Sequence, residues 1–300
     1  MYHPSDPRSG LTTNPGTPGA SATSEYGMPK LVVLQDTEPS FTSPGESRVW
    51  YVRTSAFVVA YYELVPRDPV ALLPATADRI VIVPHDEEPV TLELGSASWV
   101  TDESSMFVAA GPGAVTTRTR ATVIEVASYT DLSTFPHAVN EQDYATPMPR
   151  VAAPARRRVP GLQVGVKTYP MSSYPPIPGR FGRIIASSNI MANLLETEHA
   201  PRDTTRLSPH DHADFEQCCI TTRGSYVHHW RTPWTPDLQN WREDMHVEYD
   251  SPAIAVIPPG VVHTANSISD GPNQMIDLFS PPRRDFAEKG WVLNSLDGEL

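Results

Sequence analysis

Pro209-His210-Asp211-His212-Ala213-Asp214-Phe215-Glu216 sets two histidines and a carboxylate at even offsets, and Gly224 closes the segment eight residues after Glu216. In an extended chain successive side chains alternate between faces. A strand here therefore turns His210, His212 and Glu216 to one side, where two imidazoles and a carboxylate take three positions around a divalent ion. A second stretch, Ile257-Pro258-Pro259-Gly260-Val261-Val262-His263-Thr264-Ala265-Asn266, ends a β run in a Pro-Gly turn and delivers a further histidine. Glycine permits a positive φ and proline fixes the entry to the turn. A lone histidine in a β protein is ordinarily a surface or hydrogen-bonded core residue. Four ligand-type residues at two such spacings are much harder to reach by chance.

The flanking sequence reads as strands. Glu216 to Thr222, Ser225 to Trp230, His246 to Tyr249, Ala253 to Ile257 and Met275 to Phe279 surround the histidines, after a run at Arg183-Ile184-Ile185-Ala186. Upstream lie Leu31-Val32-Val33-Leu34, Val49 to Val52, Ala56 to Tyr62, Arg79 to Val83, Val90 to Leu94, Met106 to Ala110 and Thr122 to Val126. Short β-branched and aromatic runs separated by Pro, Gly, Asp and Glu point to sandwiches or barrels. Only Arg284 to Glu288 looks helical. Residues 1–30 are rich in Pro, Gly, Ser and Thr and read as a disordered tail. Residues 31–130 form a first β unit, 131–180 a Pro-rich connector, and 181–300 a second β unit. The 32 prolines in 300 residues are about twice the ordinary share of roughly 5%, which argues against long helices.

The formal net charge of −12 repels a phosphate backbone. The tight basic run Arg156-Arg157-Arg158 sits in a Pro/Ala stretch and reads as a solvated linker, so no nucleic-acid partner is expected. The two cysteines, Cys218 and Cys219, are adjacent. Adjacent cysteines rarely close a relaxed disulfide, which fits a reducing cytoplasm. No apolar run reaches the length of a membrane span, and no secretory signal is visible at Met1-Tyr2-His3-Pro4.

The two histidine segments resemble the paired motifs of the cupin superfamily. Its first motif is HxH, three or four residues, Glu, six or seven residues, Gly. Its second is P-x-G, two residues, His, then an Asn. His210, His212 and Glu216 match the first and His263 the second, while Asn266 comes one residue early. The resemblance implies jelly-roll barrels with a metal inside. Gly111-Pro112-Gly113-Ala114-Val115-Thr116 echoes Pro258 to His263, with Thr116 in the histidine's place, and no HxH occurs upstream. The whole chain is therefore expected to be an all-β bicupin: a degenerate N-terminal cupin and a metal-binding C-terminal one, forming a homodimer as the family implies.

The functional expectation is a mononuclear metal enzyme holding one divalent ion, Fe(II) ahead of Zn, Mn, Ni or Co, and acting as an oxygenase on a small organic substrate with dioxygen. The alternatives are a metal-dependent isomerase or lyase acting on a sugar acid or keto acid, and a non-catalytic small-molecule-binding bicupin. Tyr226, His228 and Trp230 share one face of their strand. His228 is a candidate acid/base, and Tyr226 and Trp230 are candidate substrate contacts, set against plain core packing. Cys218 shares the parity of Glu216 and is either a cavity-lining residue or a small core residue. Trp234 and Trp241 form a lid or anchor a long loop. His85, beside Asp86, Glu87 and Glu88, reads as part of a polar turn.

Overall fold

The computed structural model describes residues 25–74, 77–129, 137–151, 165–179 and 182–294. Most of the expected N-terminal tail and the Arg156–Arg158 run lie outside the described residues. The strands of the N-terminal half are β1 (Lys30–Val33), β2 (Phe41–Thr42), β3 (Arg48–Arg53), β4 (Phe57–Leu64), β5 (Val70–Ala71), β6 (Arg79–Val83), β7 (Val90–Leu94), β8 (Ala97–Thr101), β9 (Ser105–Ala110), β10 (Gly113–Thr117) and β11 (Ala121–Ser128). Within the connector lies β12 (Gly165–Pro170), and after it come β13 (Arg183–Ala186), β14 (Met191–Leu194), β15 (Gln217–Arg223), β16 (Ser225–Arg231), β17 (Met245–Asp250), β18 (Ala253–Ile257), β19 (Val262–Ser267) and β20 (Gln274–Phe279). The one α-helix among the described residues, α1 (Arg284–Glu288), follows. Among the described residues no helix is long and apolar enough to cross a membrane.

Among the described residues the strand ladders are all antiparallel and build four sheets. A seven-stranded sheet, β12-β9-β6-β11-β4-β3-β2, faces a four-stranded one, β5-β10-β7-β8; a six-stranded sheet, β1-β18-β15-β20-β14-β13, faces a three-stranded one, β17-β16-β19. The fold is two jelly-roll barrels. Their two large sheets pack back to back: Cys218, Ile220, Ile254, Val256, Ile276 and Leu278 from one meet Trp50, Val59, Tyr61, Ile80, Ile82 and Val126 from the other. This is why β4, β6 and β15 are buried on both faces, since one face lines a barrel and the other the contact between barrels.

Two strands pair away from their neighbours in sequence. β1 adds to the edge of the C-terminal six-stranded sheet by pairing with β18, and β12 adds to the N-terminal sheet by pairing with β9. Each covers an open row of backbone donors and acceptors. Thus the run at Leu31 to Leu34, expected in the first β unit, pairs with the second, and the connector expected over 131–180 contains a strand.

The N-terminal barrel is filled. Val58, Tyr62, Leu64, Val81, Leu92, Phe107, Val115 and Val123 occupy its interior. Thr116, the counterpart of His263 by motif, is half-buried while Val115 is buried, so the motif's histidine position no longer faces inward. A buried ion pair stands in that interior: Arg79 Nη1 donates to Glu125 Oε1 at 2.7 Å and to the Leu73 carbonyl at 2.6 Å. Tyr62 donates its hydroxyl to Glu125 Oε2 at 2.5 Å. Paired and hydrogen-bonded through both terminal nitrogens of Arg79, with only its Nε left without a partner, the two charges offset much of the penalty of isolated buried charge. His85 opens a polar turn with the exposed Asp86 and Glu87, as expected, but is itself 4% exposed because Gln274 and Arg223 of the second barrel lie against it.

Candidate metal centre

The two histidine segments meet through their backbones. His210 N–H donates to the His263 carbonyl at 3.0 Å and His263 N–H to the His210 carbonyl at 2.8 Å. Gly260 N–H donates to the His212 carbonyl at 2.6 Å. Gly260 holds φ +78°, and a Cβ there would stand 2.5 Å from the Tyr26 ring, so both its left-handed backbone and its missing side chain are used. The clamp fixes His210, His212 and His263 relative to one another before any ligand arrives.

Their rings converge. Centroids lie 4.3 Å apart for His210 and His263, 5.1 Å for His210 and His212, and 5.4 Å for His212 and His263. One ring nitrogen from each falls within 4.8 Å of the others, and all three residues are buried. Nδ1–H of His210 donates to the Ser208 carbonyl at 2.8 Å, and Nδ1–H of His263 to the Val261 carbonyl at 3.0 Å. A carbonyl only accepts, so these bonds set the tautomer and leave the Nε2 lone pairs for a ligand. His212 stacks on Phe215 at 4.5 Å.

Glu216 does not join this group. Its Oε2 accepts the Ser55 N–H at 2.6 Å and its Oε1 the Tyr144 hydroxyl at 2.7 Å, both from the other half of the chain. The expectation from strand parity gives way because residues 213–215 bend and β15 begins only at Gln217. Burial holds the Glu216 carboxyl above its ordinary range, the bonds from Tyr144 and Ser55 opposing this in part. Gln217 takes the inward place instead. Its Oε1 lies 2.5 Å from His212 Nε2, and its Nε2 donates to Asp277 Oδ1 at 3.1 Å. Cys219 donates its thiol to the same Asp277 oxygen at 3.0 Å. Burial, then Asp277, pushes the Cys219 thiol well up, which keeps it protonated. Cys218 points into the contact between barrels; it is Cys219 that lines this barrel, since the strand frame starts one residue later than parity with Glu216 assumed.

Tyr226, His228 and Trp230 share the inward face of β16. Tyr226 and Trp230 belong to the barrel core with Tyr249 and Ala265. His228 lies in parallel between Trp230, 5.2 Å away, and Tyr249, 5.7 Å away. Its Nδ1 meets the Tyr249 hydroxyl at 2.7 Å. Burial, with His263 and His229 nearby, pushes its pKa down to about 3, so it is neutral at neutral pH. Trp230 Nε1 is a buried donor with no hydrogen-bond partner. On the outer face His229 touches His246, Nδ1 to Nδ1, at 2.7 Å and donates from Nε2 to Asn266 Oδ1 at 2.8 Å; Asn266 thus serves the outer surface. Trp234 and Trp241 stack on each other at 4.4 Å and stay exposed, which ties down their own loop.

Three imidazoles and an amide oxygen suit a borderline divalent ion such as Mn, Fe, Co, Ni or Zn, so the donor chemistry fits a metal. Gln217, Asp277 and Cys219 escaped the sequence reading. Counting four residues after His212 lands on Gln217, and six more separate it from Gly224. A lone Asp277 inside Met275 to Phe279 was the second signal.

Comparison of the sequence with known families and with curated proteins finds no match. Solved structures do match in fold. A variant of Bacillus subtilis oxalate decarboxylase superposes with TM-score 0.54 at 14% identity, covering 87% of this chain and 80% of that one. The formate complex of Lactobacillus farciminis oxalate decarboxylase gives 0.53 at 13% identity over 87% and 89%. A third, a Bacillus subtilis oxalate decarboxylase studied for its Mn(II) centres, gives 0.52 at 15% over 87% and 80%.

Proposed function

The chain has the bicupin fold of two jelly-roll barrels, and from that premise we propose that it is a metal-dependent lyase acting on a small carboxylate, in the manner of a decarboxylase. The observation that carries this is the buried group of His210, His212 and His263 in one barrel, beside a second barrel filled by its own side chains. The similarity to oxalate decarboxylases favours the lyase alternative over the Fe(II) oxygenase expected from sequence, and Mn(II) over Fe(II) as the ion.

His210, His212 and His263 would hold the ion, with open positions left for substrate. A bound divalent ion supplies Lewis acidity, drawing charge from a coordinated carboxylate or carbonyl. The remaining roles fall to side chains of the barrel. Trp230 Nε1, buried and without a partner, offers a hydrogen bond to a substrate oxygen. Neutral His228, its Nδ1 engaged by Tyr249, can hold a proton at Nε2 or take one there. Tyr226, Tyr249 and Ala265 wall the site with apolar surface and limit water. Two free, buried cysteines support a reducing compartment, and a homodimer belongs to the same proposal.

The test is metal analysis of untagged protein followed by turnover on a panel of small carboxylates and 2-oxo acids, reading carbon dioxide release and oxygen uptake together. Bound manganese with carbon dioxide release and no net oxygen consumption is the expected result. Substrate-dependent oxygen consumption would return the assignment to an oxygenase. A metal-loaded protein that binds ligands without turning any over would make it a binding module.

A further inference from the structure

We propose that Gln217, not Glu216, supplies the fourth protein donor of the metal centre, that Asp277 positions it, and that the uncharged donor set so formed selects a small chelating anion as substrate. This rests on the assignment of His210, His212 and His263 to a metal under the proposed function.

Gln217 is 5% exposed and opens β15 on its inward face, ahead of Cys219 and Thr221. Its amide has one orientation that satisfies its surroundings. Asp277 and the Cys219 sulfur both lie 3.1 Å from Nε2, and a carboxylate accepts, so Nε2 turns toward them and Oε1 faces His212 Nε2. The result is an oxygen lone pair aimed at the place where the imidazoles converge. Glu216 is differently engaged. Both its oxygens accept hydrogen bonds from Ser55 and Tyr144, and reaching the ion would break both.

The other barrel supports the assignment independently. Arg79 and Gln217 each open the strand that pairs on both sides in its barrel, and each has a buried acid opposite the residue two further on, Glu125 across from Val81 and Asp277 across from Cys219, which makes the two positions equivalent. There a guanidinium brings a fixed positive charge against Glu125. Here a neutral amide against Asp277 leaves room for a cation that is not part of the chain.

The charge balance then points to the substrate. Three neutral imidazoles and an amide bring no charge to the ion, and the Asp277 carboxylate behind the amide offsets at most one of its two positive charges. In a buried site that imbalance is costly, and an incoming ligand relieves it best by being anionic. Two oxygens in chelating geometry on a small carboxylate, as in a dicarboxylate or a 2-oxo acid, meet both the charge and the open positions.

The test measures Mn(II) affinity by competition with a chromogenic chelator, and oxalate binding to the Mn(II)-loaded protein by water-proton relaxation, in the full chain. Gln217→Met, close in shape and without the amide, is expected to weaken Mn(II) binding about tenfold or more, and Asp277→Asn about 10- to 100-fold, as lost support of a ligand does. Glu216→Gln is expected to stay within about threefold of wild type. Gln217→Glu is expected to tighten Mn(II) and to weaken oxalate binding about tenfold, because a carboxylate then supplies the charge the substrate would bring. Loss of Mn(II) in Glu216→Gln with retention in Gln217→Met would overturn the ligand assignment. Unchanged oxalate affinity in Gln217→Glu would overturn the charge argument. A wild type that binds no divalent ion overturns both this inference and the proposed function, whereas one that binds Mn(II) and oxalate without turnover overturns only the latter.

Discussion

Glu125 and Asp277 occupy the same register position in the two barrels. Glu125 is the cross-strand partner of Val81, two residues beyond the inward Arg79; Asp277 partners Cys219, two residues beyond the inward Gln217. Each acid takes a donor from that earlier residue, Arg79 Nη1 at 2.7 Å in one barrel and Gln217 Nε2 at 3.1 Å in the other. One barrel thus carries its cation covalently and closes around it. The other keeps the acid, replaces the cation with an amide, and leaves three histidines facing the space.

Arg79 is fully buried, so the N-terminal pair should show the asymmetry of buried charges. Arg79→Met leaves Glu125 unpaired and is expected to cost about 3–5 kcal/mol, while Arg79→Met with Glu125→Leu recovers most of it. Urea unfolding of the single and double variants checks this; equal losses in both would show that packing, not charge, sets the cost.

Metal binding should register as stability. At Mn(II) concentrations about 100 times Kd, a site confined to the folded state adds about 2.7 kcal/mol. The expected outcome is a rise in Tm that a chelator reverses and that His263→Ala abolishes. An unchanged rise in His263→Ala would place the ion elsewhere.

Two buried histidines predict acid sensitivity of the metal-free protein. Burial, with Arg223 nearby, pushes His85 down to about 4, and burial pushes His228 down to about 3. Both are neutral when folded, whereas the unfolded chain takes up protons near pH 6.5. Their stabilisation is complete above pH 6.5 and is lost as pH falls, by up to about 1.4 kcal/mol per pH unit for each group. His85→Gln should flatten the slope between pH 6.5 and 4, read from unfolding midpoints at successive pH values. A slope identical to wild type would mean that His85 is not held neutral.

Gly260→Ala places a Cβ against the Tyr26 ring at a backbone φ of +78°. The left-handed conformation alone costs about 1–2 kcal/mol, and relief by movement would disturb the Gly260–His212 bond. Lower stability together with weaker Mn(II) binding is expected from calorimetry and chelator competition. A stability loss with metal affinity intact would separate this turn from the site.

Much of the fold was legible because strands and turns are local. β6, β7, β13, β18 and α1 end at the residues expected, where β-branched or apolar runs meet Pro, Gly or charged clusters. β2, β5, β8, β10, β12, β14 and β19 were missed. β12 contains Lys167 and ends on Pro170, and its exposed residues make an edge strand that composition alone does not flag. The pairing of β1 and β12 with the opposite halves was invisible, since an edge recruits a strand through backbone bonds that any sequence can make.

The sequence by itself singled out His210, His212 and His263, which the structure brings together, because their spacing is written in the chain and a Pro-Gly turn delivers the third. It also determined that the protein would be β-rich, through its prolines and short apolar runs. Only the tertiary structure decided which residue stands beside them. A bend at 213–215 breaks the alternation that would carry Glu216 inward, and Ser55 and Tyr144, far away in sequence, capture its carboxylate. The strand that starts one residue later turns Gln217 to the site. A shift of one residue moves a side chain to the opposite face of a sheet, and the position of that shift is set by contacts between barrels that no local pattern contains.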